Sequence, residues 1–271
     1  MLNSMKHHQK EQDLSRSLEI DPLLIPYAAE ILADITALGS WPEVMVKMLE
    51  PLGLPPETST VMDLGCGKGA ASIRIAQKLE FQVFGIDLFP PFIQEARERA
   101  AMLHVESFCT FDTQDIRSLL RKRKKDHYDV VIYAALGGLL GTFSQIVGRI
   151  RTLVPDGRYM IIDDGFLAHA ERMHRPGYEY CRNYEKTRSE LTRHGDVIVS
   201  ETIIPKEDLV STFRKDFTYI RWRIEALSLR HPELMEALST YLAQQQEEYR
   251  ILEQETVQAV WLLQKNAAPP S

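Results

Sequence analysis

The chain has 271 residues, of which 44% are hydrophobic and 26% charged, a composition typical of a globular protein. Its net charge of -6 at pH 7 and its pI of about 5.8 argue against a general nucleic-acid binder, because such proteins need a basic field to displace counterions from phosphates. The longest apolar run, Val130 to Gly141, is shorter than the roughly 20 residues of a membrane span, and the polar first 17 residues hold no apolar signal segment.

The first 56 residues predict short helices rather than one long helix. From Asp13 to Leu52 the apolar pattern is helical, but a proline lacks the amide that a helix interior requires, and four interrupt the stretch. The segment from Leu54 to Thr58 then predicts a linker. The four prolines are Pro22, Pro26, Pro42 and Pro51.

From residue 60 onwards, apolar runs of strand length alternate with helical segments. Such alternation predicts a parallel sheet with helices on both faces, whose ligands bind at the carboxyl ends of the strands. The predicted strands are 60–64, 81–86, 107–111, 128–133 and 158–162. The predicted helices between them are 70–79, 91–103, 115–122 and 142–153.

After Asp164 the regular alternation stops. The pattern predicts a helix from Glu179 to His194 capped by Gly195, and then a strand at 196–204. It also predicts a long helical stretch broken near His231 and a final strand. The long stretch covers 206–253 and the final strand 256–264. We therefore divide the chain into an N-terminal helical lid, a core, and a helical insertion with a last strand, at 1–56, 57–204 and 205–271.

A glycine-rich loop separates the first predicted strand from the first helix of the core. Its sequence, from Asp63 to Gly69, is Asp-Leu-Gly-Cys-Gly-Lys-Gly. Backbone amides of a loop that opens a helix point at a ligand beyond the strand end, and glycines allow close approach. The letters also fit the dinucleotide pattern G-x-G-x-x-[GA], and both kinds of site place an acid after the second strand, here Asp87. The glycines alone do not separate these two interpretations.

The loop with its neighbours resembles motif I of class I S-adenosylmethionine-dependent methyltransferases. Three features favour this family over a nicotinamide enzyme: the acid Asp63 before the glycines, the acid Asp115 after the third strand, and the apolar fourth strand ending at Tyr133. The resemblance covers Val61 to Asp163, and its overall pattern is that of a UbiE-like core with an enlarged helical cap. It implies a Rossmann-like, seven-stranded, mostly parallel sheet with helices on both faces.

The resemblance also implies a role for individual residues. Asp63 fixes the loop, Asp87 accepts the ribose hydroxyls, and Asp115 accepts from the adenine while Leu88 and Ile116 flank its ring. For Asp115 a helix N-cap is an equally physical role, and Cys66 is more easily explained as a small packing residue than as a nucleophile. The implied residues that bind S-adenosylmethionine are Asp63, Gly65, Cys66, Gly67, Gly69, Asp87, Leu88, Asp115, Ile116 and Tyr133.

The residues that handle the acceptor cannot be identified from a motif, because methyl transfer is an in-line displacement that mainly needs alignment and exclusion of water. The catalytic candidates are Asp163, Asp164, Tyr133 and His169. Asp163 and Asp164 follow the fifth strand, where a turn with a capping aspartate is the alternative. His169 and His174 are spaced wrongly for a shared zinc ion, and no metal site is predicted. We interpret the basic run from Arg121 to Lys125 as a solvated loop.

Aromatic residues offer two further contacts. Tyr178, Tyr180 and Tyr184 lie at helical spacing, where a packing stripe competes with a pocket wall, and Tyr27 is a candidate lid contact. Three scattered cysteines give neither a disulfide framework nor a metal motif, which predicts a reduced, cytoplasmic protein.

The predicted activity is methyl transfer to an N, O or C nucleophile of a small molecule. A non-catalytic module that binds the cofactor remains the alternative, followed by an NAD(P)-dependent oxidoreductase. No membrane is expected as a partner, nucleic acid is disfavoured, and a homodimer is compatible with the sequence.

Overall fold

The computed structural model describes residues 14, 15, 18, 20–121, 127–173 and 175–266. It divides the chain into two compact units. One, the sheet unit, comprises Ala37–Ile204 with the segment from Glu255 onwards, and the other, the helical unit, comprises Pro205–Gln254 with the segment that precedes Ala37. Residues 37–56, which the sequence division assigned to the N-terminal segment, therefore group with the sheet.

Seven strands form one sheet in the order β3-β2-β1-β4-β5-β7-β6. Strands β1 to β5 are parallel, whereas β7 runs antiparallel to both β5 and β6. The predicted sheet class is confirmed. The strands are β1 (Thr60–Leu64), β2 (Gln82–Asp87), β3 (Cys109–Thr113), β4 (Val130–Ala134), β5 (Tyr159–Leu167), β6 (Val197–Ile203) and β7 (Thr256–Gln264).

The α-helices alternate with β1 to β5 and then dominate the C-terminal part. In chain order they are α1 (Ala28–Ile31), α2 (Pro42–Leu49), α3 (Ala70–Leu79), α4 (Pro90–Met102), α5 (Ile116–Arg121), α6 (Phe143–Ile150), α7 (Tyr184–Leu191), α8 (Lys206–Arg230) and α9 (Met235–Glu255). The predicted helix over 179–194 is wrong at its start. The Asn183 side chain accepts from the Lys186 amide at 3.0 Å, so that Asn183 is the N-cap and the helix begins at Tyr184.

The two faces of the sheet carry separate apolar clusters because successive strand residues point to opposite faces. Val61 and Ile132 pack on one face with buried side chains of α2, α3 and α4. Met62 and Val131 pack on the other face with side chains of α5, α6 and α7. Helices on both faces leave the strand ends as the surface on which a ligand can bind.

Among the described residues, the helical unit contains α1, α8, most of α9 and the 3-10 helices Pro22–Tyr27 and Pro232–Leu234. Arg223 forms an ion pair with Asp34, its Nε 2.7 Å from Oδ2, and Arg230 pairs with Glu30. The rings of Tyr27 and His231 lie 4.8 Å apart. Among the helices of the described chain, none has the length and apolar character that crossing a bilayer requires.

Candidate functional site

The glycine loop lies at the carboxyl end of β1, where the chain turns into α3. The amides of Gly65 and Cys66 both donate to the Ile86 carbonyl of β2, at 2.8 and 2.9 Å. Gly65, Gly67 and Gly69 all have positive φ, at 71°, 52° and 75°. Because side chains are strained in this backbone region, the turn depends on glycine at all three positions.

Two other segments of the sheet unit approach this loop closely. A Cβ built on Gly65 would lie 2.5 Å from Leu136 Cδ2, and one built on Gly67 would lie 2.8 Å from Leu38 Cδ1. Leu38 itself and Ala135, next to Leu136, have positive φ, at 47° and 52°. Non-glycine residues in this conformation cluster at functional sites. No motif in the sequence pointed to Leu38 or Leu136, because only the tertiary fold brings them to the loop.

Asp63 stabilises the glycine loop through a buried hydrogen bond to α3. Its carboxyl group is 2% exposed, and Ser72 Oγ in α3 donates to Oδ2 at 2.6 Å. Burial raises its pKa to about 6, against the opposing effect of the Ser72 hydrogen bond. The hydrogen bond joins β1 to α3 across the loop, in agreement with the predicted fixing role.

Asp87 ends β2 and contacts the loop directly. Its Oδ2 accepts from the Gly67 amide at 3.0 Å, and its Oδ1 accepts from the Phe89 amide at 2.8 Å. Burial raises the pKa of this carboxyl group, while the backbone hydrogen bonds oppose the rise. Each carboxylate oxygen can accept a further hydrogen bond, as the predicted ribose contact requires.

Lys68 is a loop residue whose role the sequence did not reveal. Its side chain is fully buried, and its Nζ lies 3.0 Å from Glu95 Oε2 and 5.5 Å from the centre of the Phe92 ring. Both partners belong to α4, so the lysine ties the loop to that helix. A buried ammonium group is tolerated only with such partners.

The adenine-side residues follow β2 and β3. Asp115 Oδ1 accepts from the Arg117 amide at 2.8 Å and lies 3.2 Å from Arg117 Nε, so the N-cap role is confirmed. The predicted adenine contact of Asp115 stays a prediction. Ile116 is buried in the apolar cluster of its face, and Leu88 is half-buried. Cys66 is also buried, and burial raises the pKa of its thiol, in accord with a packing role.

Tyr133 has a structural role. Its side chain is fully buried, its hydroxyl donates to the Gly137 carbonyl at 2.9 Å, and the Leu140 amide donates to that hydroxyl at 3.3 Å. These two hydrogen bonds occupy the hydroxyl, and the predicted cofactor contact and catalytic role of Tyr133 stay predictions. Through these hydrogen bonds the Tyr133 hydroxyl stabilises the loop after β4, which includes Leu136.

Asp163 and Asp164 lie within β5, which continues to Leu167, so the prediction that they follow the fifth strand is wrong, as is its alternative of a turn. Ala134, the last residue of β4, pairs with Asp163. Asp163 is 1% exposed, and its Oδ2 accepts from the Trp41 amide at 2.7 Å. Asp164 Oδ1 accepts from the Gly165 amide at 2.6 Å and from the Tyr180 hydroxyl at 2.8 Å. Burial raises the pKa of both carboxyl groups, that of Asp164 to about 6.

The remaining candidates differ in their surroundings. His169 is exposed, and His174 lies outside the described residues, as do Lys122 to Lys125 of the basic run. Tyr178 and Tyr180 precede α7 instead of sharing its helix, which corrects the predicted stripe. Their rings stack at 6.4 Å, and Tyr180 also meets the edge of Phe143.

Comparison with known proteins gives one family and a set of similar structures. The model of a family described as a methyltransferase domain matches residues 56–256. An S-adenosylmethionine-dependent methyltransferase from Geobacter sulfurreducens, solved with S-adenosylhomocysteine, aligns with a TM-score of 0.74 at 16% identity, covering 88% of this chain and 97% of that one. A methyltransferase from Thiobacillus denitrificans, solved with the same ligand, gives 0.72 at 17% identity, with 88% and 97% covered. The protein YjhP from E. coli gives 0.73 at 14%, with 88% and 98% covered.

Proposed function

This chain belongs to the methyltransferase domain family and is a methyltransferase, and we propose that it transfers the methyl group of S-adenosylmethionine to a small-molecule acceptor. The observation that carries the cofactor assignment is the hydrogen bond from the Gly67 amide to Asp87. This hydrogen bond joins the glycine loop to the acid after β2 at the carboxyl ends of the strands.

The residues at the carboxyl ends of β1, β2 and β3 fit this cofactor. The loop has three glycines with positive φ, so a ligand can approach the backbone where side chains would otherwise project. Asp87 supplies carboxylate oxygens for a pair of hydroxyl groups, and the residues after β3 supply an acid beside an apolar side chain. S-adenosylmethionine, when bound, supplies a methyl group on a positively charged sulfur that is a ready leaving group. In the structures from Geobacter sulfurreducens and Thiobacillus denitrificans the related product S-adenosylhomocysteine is bound.

The protein's own contribution to such a reaction is alignment. Asp63, Lys68 and Tyr133 hold the loops after β1 and β4 through hydrogen bonds and an ion pair to neighbouring elements. Rigid loops keep a methyl donor and an acceptor in line, which is the main requirement of a displacement at carbon. Asp163 and Asp164 are acidic side chains on β5, beside the end of β4.

A small molecule is the acceptor class that the charge supports best. At a net charge of -6 the chain lacks the basic field that nucleic-acid partners require. To test this, the protein is incubated with methyl-labelled S-adenosylmethionine and a cell extract, and the products are separated by ultrafiltration. We expect label in the small-molecule fraction. Label confined to the protein or nucleic-acid fraction would disprove a small-molecule acceptor.

Three further expectations remain predictions. The helical segments act as a lid over the bound ligands, the protein works in the cytoplasm, and a homodimer is compatible with the sequence. Urea-dependent cleavage by a protease, with and without S-adenosylhomocysteine, tests the lid. We expect the ligand to protect cleavage sites in Pro205–Gln254.

A further inference from the structure

One oxygen of Asp164 has no partner in the part of the chain that the structure describes. Oδ1 receives two hydrogen bonds, from Gly165 and Tyr180, but Oδ2 is buried and receives none. A buried acceptor without a hydrogen bond is costly, and native proteins keep few of them. Such an oxygen indicates a binding partner that completes the site.

The missing partner is a hydrogen-bond donor, and the neighbouring charges favour a donor on which positive charge develops. Asp163, the preceding residue, is a second buried carboxylate, occupied by the Trp41 amide. Among the described residues, no lysine, arginine or histidine forms an ion pair with Asp164. Arg175, the nearby cation in sequence, lies over the Tyr178 ring at 5.2 Å. Two adjacent acids, each with a buried carboxylate oxygen, favour a guest that carries N–H donors and that gains positive charge as it reacts.

The same loop borders both this carboxylate and the glycine loop. Leu136 packs against Gly65, while Tyr180 packs against Gly138, where an added Cβ would lie 2.7 Å from its Cδ1. The Tyr180 hydroxyl is bonded to Asp164. The short segment that follows β4 therefore contacts both the glycine loop and the tyrosine that is bonded to Asp164.

We propose that the methyl acceptor is an amine whose nitrogen binds Asp164 Oδ2, with Tyr180 as a positioning residue that orients the carboxylate. This inference rests on the proposed function and specifies its substrate class. The neutral amine nitrogen attacks the methyl carbon, so that an N–C bond forms while the C–S bond breaks and its electron pair passes to sulfur. The products are an N-methylammonium ion and S-adenosylhomocysteine. Asp164 stabilises the ammonium product as an ion pair.

The test compares a panel of primary and secondary amines with the isosteric alcohol of each amine. Release of S-adenosylhomocysteine and binding of each compound to the S-adenosylhomocysteine complex are measured for the wild type, Asp164→Asn, Tyr180→Phe and the control Asp112→Asn. Asp112 is an exposed acid at the end of β3. Cofactor affinity and the melting temperature are measured for every variant.

We expect the wild type to methylate amines and not their alcohols. Asp164→Asn should lower kcat/KM for the amine by about tenfold or more, because a charged hydrogen bond is lost. Tyr180→Phe should have a smaller effect, and both variants should retain cofactor affinity. Methylation of alcohols alone, equal kcat/KM in Asp164→Asn, or no tighter binding of any amine than of its alcohol would overturn the inference. Failure of the wild type to bind S-adenosylmethionine would instead refute the proposed function.

Discussion

The amide of Gly67 donates to Asp87 Oδ2 at 3.0 Å, joining the middle of the glycine loop to the end of the neighbouring strand. The two residues are 20 positions apart in the chain and belong to two separate motifs. Their hydrogen bond means that the carboxylate holds the loop in shape, and each of its oxygens can still accept a further hydrogen bond from a ligand. Loss of the carboxylate should therefore affect ligand binding twice, through the lost contact and through the loosened loop.

Asp87→Ala should weaken S-adenosylmethionine binding by about 1–3 kcal/mol, the usual effect of removing hydrogen bonds to a charged group. Isothermal titration calorimetry measures the affinity. Asp87→Asn retains one oxygen acceptor and should lose less.

Asp112→Ala is the matched control for Asp87, because it removes an exposed acid from the end of the next strand. Its affinity should equal that of the wild type. If Asp87→Ala and Asp112→Ala bound the cofactor equally well, Asp87 would not be a binding residue.

Gly69→Ala should destabilise the protein more than Gly53→Ala. Both glycines have positive φ, but a Cβ on Gly69 would lie 3.0 Å from Ala96 Cβ, whereas around Gly53 there is open space. The added Cβ on Gly69 would also lie 3.0 Å from Phe111 Cζ of β3. The two variants share the backbone cost, so their difference reports the contacts with Ala96 and Phe111. We expect about 1–2 kcal/mol in the free energy of unfolding measured with urea. Equal losses in the free energy of unfolding would mean that the neighbours of Gly69 shift at no energetic cost.

Tyr133→Phe removes a hydroxyl that makes two hydrogen bonds to the loop after β4. The free energy of unfolding should fall by about 1–3 kcal/mol, because buried backbone groups lose their partner. In Tyr159→Phe, by contrast, the lost hydroxyl forms no hydrogen bond to the described chain, and stability should barely change. A stability of Tyr133→Phe equal to that of the wild type would argue against the bracing role.

Asp164 should make stability depend on pH. Its pKa in the folded protein is raised to about 6, so the folded state binds a proton more tightly than the unfolded state. The stabilising contribution of the protonated group is present at low pH and is lost as the pH rises to about 6. The stability of Asp164→Asn relative to the wild type should therefore increase over this window, by an amount on the order of 1–3 kcal/mol. Thermal melts from pH 4 to about 8 measure it, and a difference between the two proteins that does not change with pH would contradict the shift.

The sheet was predictable from sequence because its signals are local. Strand β1 is followed by the three loop glycines, which end the strand, and in β7 apolar residues alternate on a two-residue period. The predicted bounds of both strands therefore agree with the structure. The start of α7 was missed for an equally local reason. Asn183 is a strong N-cap, but the periodic tyrosines before it favoured an earlier helix start.

The candidate site was only partly predictable. Asp63 and Asp87 belong to a contiguous pattern, whereas the Trp41 amide that holds Asp163 is 122 positions away in sequence. The fully buried state of Lys68 depends on Glu95 of another helix, which no motif signals. Long-range contacts of this kind arise from tertiary packing and leave no spacing rule in the sequence.

The most direct test of the central claim is a calorimetric titration of the wild type and Asp87→Ala with S-adenosylmethionine and, separately, with NAD. We predict that the wild type binds S-adenosylmethionine and not NAD, and that Asp87→Ala weakens the former by about 1–3 kcal/mol. Binding of NAD without binding of S-adenosylmethionine would contradict the account.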